Sequence, residues 1–414
     1  MAKTLKTWTA LGVAILAGAG TAQAGMMSLQ STARSPSLIL VDGEGGEGGE
    51  GGGTTITTYA LGATDEGKFK YDATAQVEAY ANLAFKSYEK AAEDAKLLQA
   101  SLDAFLAAPS EKTLTATRKA WVAARPAYLR TETFRFYDGP IEAVEGEINA
   151  WPMNEAYVDY VEGKPDAGII NGKSPVVLAD ISALNQKGDE ADVTTGWHAI
   201  EFLLWGQDLS ATGPGNRPFT DYVAGQGNND RRRAYLGAVA DKLVGDLKSL
   251  VAAWAPADGK NYRAGFVALD QREALGRVVN GMAILAGFEF MSERLGVALD
   301  SGDQEDEHSC FSDTTKQDFV HDLEGIRRVW YEAKLMDLVA GRDTVLAKRV
   351  SGLLLEAEVK INKLADPWDQ VLASPKDSPE RQNAEAVVTA LQALAKGLTD
   401  VGSNLGVLVL IPTG

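Results

Sequence analysis

Apolar and alanine positions recur at helical spacing from Asp72 to Ala107 and stop before Pro109, a pattern that predicts a long amphipathic helix closed by the proline. Ser110 stands where it can cap a second helix, which carries Trp121, Tyr128 and Phe134 toward Phe136. The pattern breaks at Asp138-Gly139-Pro140. A loop through Asn149-Ala150-Trp151-Pro152 follows, then a short helix capped by Asn154 and holding Tyr157 and Tyr160, then a glycine-bearing connection from Gly163 to Gly172. Gln207 to Asn229, rich in Gly, Asn and Pro, reads as a loop. Helical spacing resumes over Asp230 to Trp254, Leu269 to Ala298, Thr314 to Val339, Arg342 to Leu364 and Pro379 to Leu410. Ser378-Pro379 opens the last of these with a cap and a proline at the first helical position. Strand-like alternation is nearly absent, so the fold class is all-α. About four helices in each half predict two antiparallel helical bundles, with the boundary near residue 215: 59–215 for the first and 216–414 for the second.

One helix breaks the amphipathic rule. Gly196-Trp197-His198-Ala199-Ile200-Glu201-Phe202-Leu203-Leu204-Trp205-Gly206 is apolar in nearly every direction, which predicts burial all round. It should start near Asp192 to Thr195, whose side chains can cap it, and stop at Gly206. His198 and Glu201 lie three residues apart and share a face. A buried carboxylate must be hydrogen-bonded, paired or metal-bound to offset its desolvation, and a neutral imidazole beside it is a transition-metal ligand. The pair therefore reads either as a core hydrogen bond or as two ligands of a metal ion.

The amino terminus adds a compartment. Lys3 and Lys6 precede an apolar stretch from Trp8 to about Gly18, and Ala22-Gln23-Ala24 has the small-x-small form of a cleavage site; residues 1–24 read as a signal peptide. Residues 25–58, with the Glu-Gly-Gly repeats of Glu44 to Gly53, read as a flexible linker, and Thr54 to Tyr59 as extended tail. No later segment is expected to span a membrane in the mature chain. The chain carries 57 acidic against 40 basic residues and a formal net charge of −17, which argues against a nucleic-acid partner because phosphate binding needs a basic footprint. The single cysteine, Cys310, excludes an intramolecular disulfide.

Two further polar passages stand out. In Thr131-Glu132-Thr133-Phe134-Arg135-Phe136-Tyr137-Asp138, Glu132 and Arg135 share a helix face among aromatics and Asp138 lies at the helix end; they read as an internal salt bridge or as site-lining groups. Asp159, between Tyr157 and Tyr160, reads on its own as a solvated acid. In Glu305-Asp306-Glu307-His308-Ser309-Cys310-Phe311-Ser312-Asp313-Thr314, Ser312 or Asp313 is expected to cap the following helix. One His and one Cys there are too few for a structural zinc site. His321, among Asp318, Asp322 and Glu324, reads as a surface residue.

Together these passages resemble the imelysin family, whose members carry Gly-x-His-x-x-Glu, here Gly196 to Glu201. The likeness extends through Phe202 to Gly206, Thr131 to Tyr137, Gly139-Pro140-Ile141, Asn149 to Pro152 and Cys310 to Asp313, and covers the chain from about Asp72 to its end. It is greatest to the branch of iron-regulated or insulin-cleaving envelope proteins. The resemblance implies a location in the periplasm or at the outer-membrane periphery, two helical bundles and a metal site at His198 and Glu201. Related single-bundle proteins, including the periplasmic component of a ferrous-iron uptake system, share an upstream glutamate and an intervening aspartate, which Glu132 and Asp159 match. The expected ligand set is therefore His198, Glu201, Glu132 and Asp159, with Arg135 and Asp138 as possible site-lining groups.

The family label includes peptidase. A His-Glu-x-x-His zinc protease takes two imidazoles and a base from one helix, but here the place of the base is Ala199 and that of the second histidine is Phe202. Three histidines in the whole chain leave the site to oxygen donors, which suit iron, manganese or calcium and still admit zinc or copper. The leading reading is capture of a metal ion or metal chelate, with iron foremost, for uptake together with another envelope protein. A metallopeptidase using His198 and Glu201, with Glu132 or Arg135 assisting a bound water, is the alternative. A helical scaffold or receptor domain for an envelope partner is a third.

Overall fold

The computed structural model describes residues 69–412, apart from 211, 257 and 258. The expected signal peptide, the linker and the Thr54 to Tyr59 tail lie outside the described residues. Those described fall in one compact unit and are helical, with no strand among them beyond isolated bridges.

Helix α1 (Thr74–Ala107) and helix α2 (Glu111–Leu129) are joined by three residues. Ser110 caps α2 in a reciprocal box: its hydroxyl accepts from the Thr113 amide and Thr113 Oγ1 accepts from the Ser110 amide. The second helix is shorter than its aromatic spacing suggests. It ends at Leu129, Glu132–Phe134 form a 3-10 turn, and Phe136 and Asp138 adopt left-handed conformations. The aromatic run is buried because the chain coils back on itself there. Asp138, expected to line a site, is exposed.

The motif helix α3 (Gly196–Trp205) is buried at every position. Its last carbonyls, which have no partner inside the helix, are met from outside. Leu203 accepts from the Tyr222 hydroxyl, Leu204 from the Arg118 guanidinium at 2.9 Å, and Trp205 from the Arg217 amide at 2.7 Å. Gly206 closes it with a positive φ. Thr195 precedes it without a side-chain cap and turns its hydroxyl to the Glu147 carbonyl instead. Gly196 has φ +84°, and a Cβ there would collide with the carbonyl of Ile148. Gly196→Ala is expected to cost about 2–3 kcal/mol, from positive-φ strain and overpacking together, read as a fall in urea midpoint with the m-value unchanged; a cost under about 0.5 kcal/mol would contradict this packing.

Helix α4 (Asn229–Trp254) packs along α1 and against α3. The boundary expected near residue 215 falls in the loop between α3 and α4. Helix α5 (Gln271–Ile284) runs on through π-helical turns at Leu285–Gly296 and ends at Ser301. This continuous stretch is long and apolar enough to cross a membrane by length and composition, and 78% of its most apolar window is buried inside the protein. Such burial is that of a core helix. The helix expected over Thr314 to Val339 is two: α6 (Thr315–Glu332) and α7 (Leu335–Arg342), parted where Lys334 takes φ +58°. Helix α8 (Thr344–Ile361) and helix α9 (Pro379–Leu405) pack on each other, and α9 also covers α5 and its π-helical turns. Ser378 caps α9 as expected, and Gly406 ends it earlier than the apolar pattern does.

Helix α6 bridges the fold by touching α2 and α1 on one side and α8 on the other. The loop that leads into it, Glu307 to Thr314, is thereby brought against α3.

Candidate metal centre

His198 and Glu201 are both buried and meet directly, His198 Nδ1 lying 2.9 Å from Glu201 Oε2. His198 Nε2 lies 3.1 Å from Nη2 of Arg125. Arginine only donates, so Nε2 accepts and Nδ1–H donates to Glu201. Burial, with the Arg125 charge, holds His198 well below the ordinary imidazole range, so it is neutral. Glu201 Oε1 accepts the backbone N–H of Ser312 at 3.0 Å and its hydroxyl at 2.6 Å. Burial pushes Glu201 up to about 8 even though these donors pull the other way. Both nitrogens of His198 and both oxygens of Glu201 are thus engaged by protein groups.

The remaining expected ligands lie in two other assemblies. Glu132 Oε2 is held by Arg135 Nη1 at 2.6 Å and Arg294 Nη2 at 2.5 Å. Burial opposes its charge, but the two guanidiniums outweigh it and keep Glu132 below its ordinary value. Arg294 also donates to Asp322 Oδ2 at 2.7 Å and to Glu289 Oε1 at 2.9 Å. The Glu289 contact spans five residues along the π-helical turns. Asp159 is buried, not solvated: Arg217 Nη1 and Arg232 Nε meet its Oδ2 at 2.7 and 2.6 Å, and Arg232 Nη2 meets Oδ1 at 2.9 Å. Neither Glu132 nor Asp159 forms a three-donor group with His198 and Glu201. A second imidazole stands nearer. The His308 ring lies 4.9 Å from that of His198, centre to centre, and its Nδ1 is 2.7 Å from Asp318 Oδ2. His321 is half-buried, with Nδ1 2.9 Å from Glu324 Oε2 and 3.2 Å from Arg130 Nη2.

Among the described residues, one set of three donors does converge. Oxygens of Asp208, Asp313 and Asp369 lie within 4.8 Å of one another. Asp208 comes two residues after Gly206 at the end of α3, Asp313 from the loop before α6, and Asp369 from the start of the short helix Asp369–Leu372. Asp208 accepts from the Ser210 amide and from Gln304 Nε2 at 2.7 Å. No amide, hydroxyl or guanidinium donor meets the four buried oxygens of Asp313 and Asp369, which lie close enough to Asp208 and to the neighbouring Glu307 to share protons with them. Asp369 is 2% exposed and Glu307 is 0% exposed. Four acids in one place repel each other's charge. Burial and the charges of Asp369 and Asp208 push Asp313 up to about 8, and burial with the Asp369 charge raises Asp208 to about 6. A surface pocket of about 340 Å³, lined by Gln304, Asp303, Ser301, Leu372 and Asp369 itself, leads to the cluster.

The sequence predicts Ser312 or Asp313 as the cap of α6. Neither is: Thr314 occupies the cap position without a side-chain bond, Ser312 faces Glu201 and Asp313 faces the cluster. The sequence marks Asp313 only as a cap candidate, and no local signal marks Asp208 or Asp369 as site residues.

An all-helical fold built around a buried Gly-x-His-x-x-Glu helix defines the class. The imelysin family model (Peptidase M75) matches residues 84–398, and the chain belongs to this family. It is similar to the Iron-regulated protein A of Synechococcus elongatus, at 24% identity over 325 residues, covering 75% of this chain and 79% of that protein. Two solved structures share the fold. An iron-regulated protein A precursor from Parabacteroides distasonis superposes with a TM-score of 0.66 at 16% identity, covering 80% of this chain and 95% of its own. An imelysin-like protein from Psychrobacter arcticum gives 0.59 at 16% identity, covering 83% and 99%.

Proposed function

We propose that this chain is an iron-related imelysin of the bacterial envelope that captures a metal ion for iron acquisition, and that it holds the ion through the oxygens of Asp208, Asp313 and Asp369. The observation that carries the reading is the convergence of three carboxylates, of which Asp313 and Asp369 have buried oxygens met by no amide, hydroxyl or guanidinium donor. An uncompensated buried acid is costly, and a cation at the point where the three side chains converge would offset that cost. An all-oxygen donor set suits hard ions such as iron, manganese or calcium rather than soft, thiolate-preferring ones. The name of the Synechococcus relative supports the link to iron, and the leader-like first 24 residues support export. His198 and Glu201 fit the ion less well, because their donor atoms are already bonded to Arg125, to Ser312 and to each other.

Calorimetric titration of the full chain with ferrous ion under nitrogen, and with manganese, calcium and zinc, tests this. Wild type is expected to bind one hard ion, and Asp369→Asn to bind it at least about tenfold more weakly, because affinity follows the charge count of the ligands. Equal affinity of the two proteins, or no stoichiometric binding by wild type, overturns the assignment. A peptidase reading would need chelator-sensitive cleavage of an unfolded protein that disappears in Glu201→Ala.

A further inference from the structure

The family signature and the acidic cluster are joined by two adjacent residues. Glu201 Oε1 takes both donors of Ser312, and the next residue, Asp313, has φ +57°. A non-glycine residue in the left-handed region is strained by about 1–3 kcal/mol and persists only where its surroundings over-determine it. Here they do. Ser312 Oγ also lies 2.9 Å from Thr314 Oγ1, the Phe311 carbonyl accepts the Gly215 amide at 3.0 Å, and Ser309 donates its amide to Thr315 Oγ1 at 2.8 Å. The loop is pinned on both sides of Asp313.

We propose that the Gly-x-His-x-x-Glu signature of this chain acts as a positioning device for a metal site elsewhere: Glu201, oriented by His198 and Arg125, clamps Ser312 and so turns the Asp313 carboxylate toward Asp208 and Asp369. The inference rests on the acidic cluster being the seat of the ion. The helix that carries the signature supplies the site twice. Its C-terminal end leads directly into Asp208, and its Glu201 fixes the loop that presents Asp313. The order of contacts runs Arg125 to His198 Nε2, His198 Nδ1–H to Glu201 Oε2, and Glu201 Oε1 to both donors of Ser312. Three donors, the His198 Nδ1–H and the Ser312 amide and hydroxyl, converge on Glu201 and fix it as an anchor. Arg125 is itself set by Asn149, whose Oδ1 accepts from Nη1 at 2.5 Å. Groups that orient a ligand in this way contribute about 10–100-fold to metal affinity.

Europium(III), a hard oxygen-seeking ion, serves as the probe on the full chain, since its luminescence lifetimes in H₂O and D₂O count the waters it keeps. Ser312→Ala is expected to weaken europium about 10–100-fold and to add one water to the bound ion, and Ser312→Thr to restore both. Asp313→Asn is expected to weaken binding too, and Ser312→Ala in that background to add nothing further. Ser312→Ala with wild-type affinity and hydration overturns the proposal. So does an equal loss in the Asp313→Asn background, which would mean a general loosening of the fold. The outcomes separate the two readings. If Asp369→Asn weakens europium while Ser312→Ala does not, the metal site stands and the positioning role falls. If Asp369→Asn binds as tightly as wild type while Glu201→Gln does not, the ion sits at the signature itself and both are overturned.

Discussion

Asp159→Ala is expected to lower the stability of the protein by about 3–5 kcal/mol, the cost of breaking a buried ion pair from one side. The carboxylate lies between two guanidiniums whose side chains are 1% and 4% exposed, and Asn171 Nδ2 adds a fourth contact at 3.2 Å. Removing it leaves Arg217 and Arg232 beside each other with the half-buried Asp221 as their remaining acid, the Asn229 amide oxygen and the Asp221 carbonyl on Arg232, and the Tyr160 ring against both. Burial favours the neutral acid, but the charges of Arg217 and Arg232 and the Tyr160 amide outweigh it, so Asp159 is held below its ordinary value. A depressed pKa contributes stability that is fully present above the unfolded-state value and is lost as pH falls through the folded one. The gap between wild type and variant should therefore be widest at neutral pH and narrow below about pH 4. Urea unfolding at pH 7 and pH 3 checks both arms. Metal affinity at the acidic cluster should stay within about twofold, because Asp159 contacts none of its residues; a gap under about 1 kcal/mol at pH 7 would show that the arginines find other partners.

Arg294→Met should cost about as much, roughly 3–5 kcal/mol. One guanidinium, 1% exposed, is the shared partner of Glu132, Asp322 and Glu289. Methionine fills much of the same volume without charge, so the loss isolates electrostatics from packing. Arg135 would remain on Glu132, while Asp322, pushed up to about 8 by burial and by the Glu132 and Asp318 charges despite Arg294, would be left to stay protonated. Pairing the change with Glu132→Gln in a double-mutant cycle reads the coupling directly. Independent, additive effects would mean that the contact contributes little.

Much of the helical order was legible because it rests on local chemistry. Ser110, Ser378-Pro379, Gly206 and the apolar spacing of Asp72 to Ala107 each act within a turn or two. The misread ends have non-local causes. The chain past Leu129 looks helical by its aromatics, yet Glu132 is drawn to Arg294, 162 residues away, and that contact needs the coil to fold back. The break at Lys334 sits inside an unbroken apolar pattern. At the candidate site, His198 and Glu201 were visible as a buried polar pair, and the structure does place them together, but their partner Arg125 lies in an ordinary helix and carries no sequence mark. The acidic cluster was illegible for the same reason. Asp313 looks like a helix cap, and Asp208 and Asp369 like ordinary polar residues between helices, until the fold brings the three together and removes their water.

The π-helical turns from Leu285 to Gly296 have a consequence for how this chain can vary. In a regular α-helix residues five apart are offset by about 140° around the axis, so Glu289 and Arg294 would point in different directions. The widened turns supply the phase that brings them into line. Deleting one residue there would let the helix revert to ordinary pitch and swing Arg294 away from Glu289, Glu132 and Asp322 together, so the length of this segment is constrained as tightly as its charges.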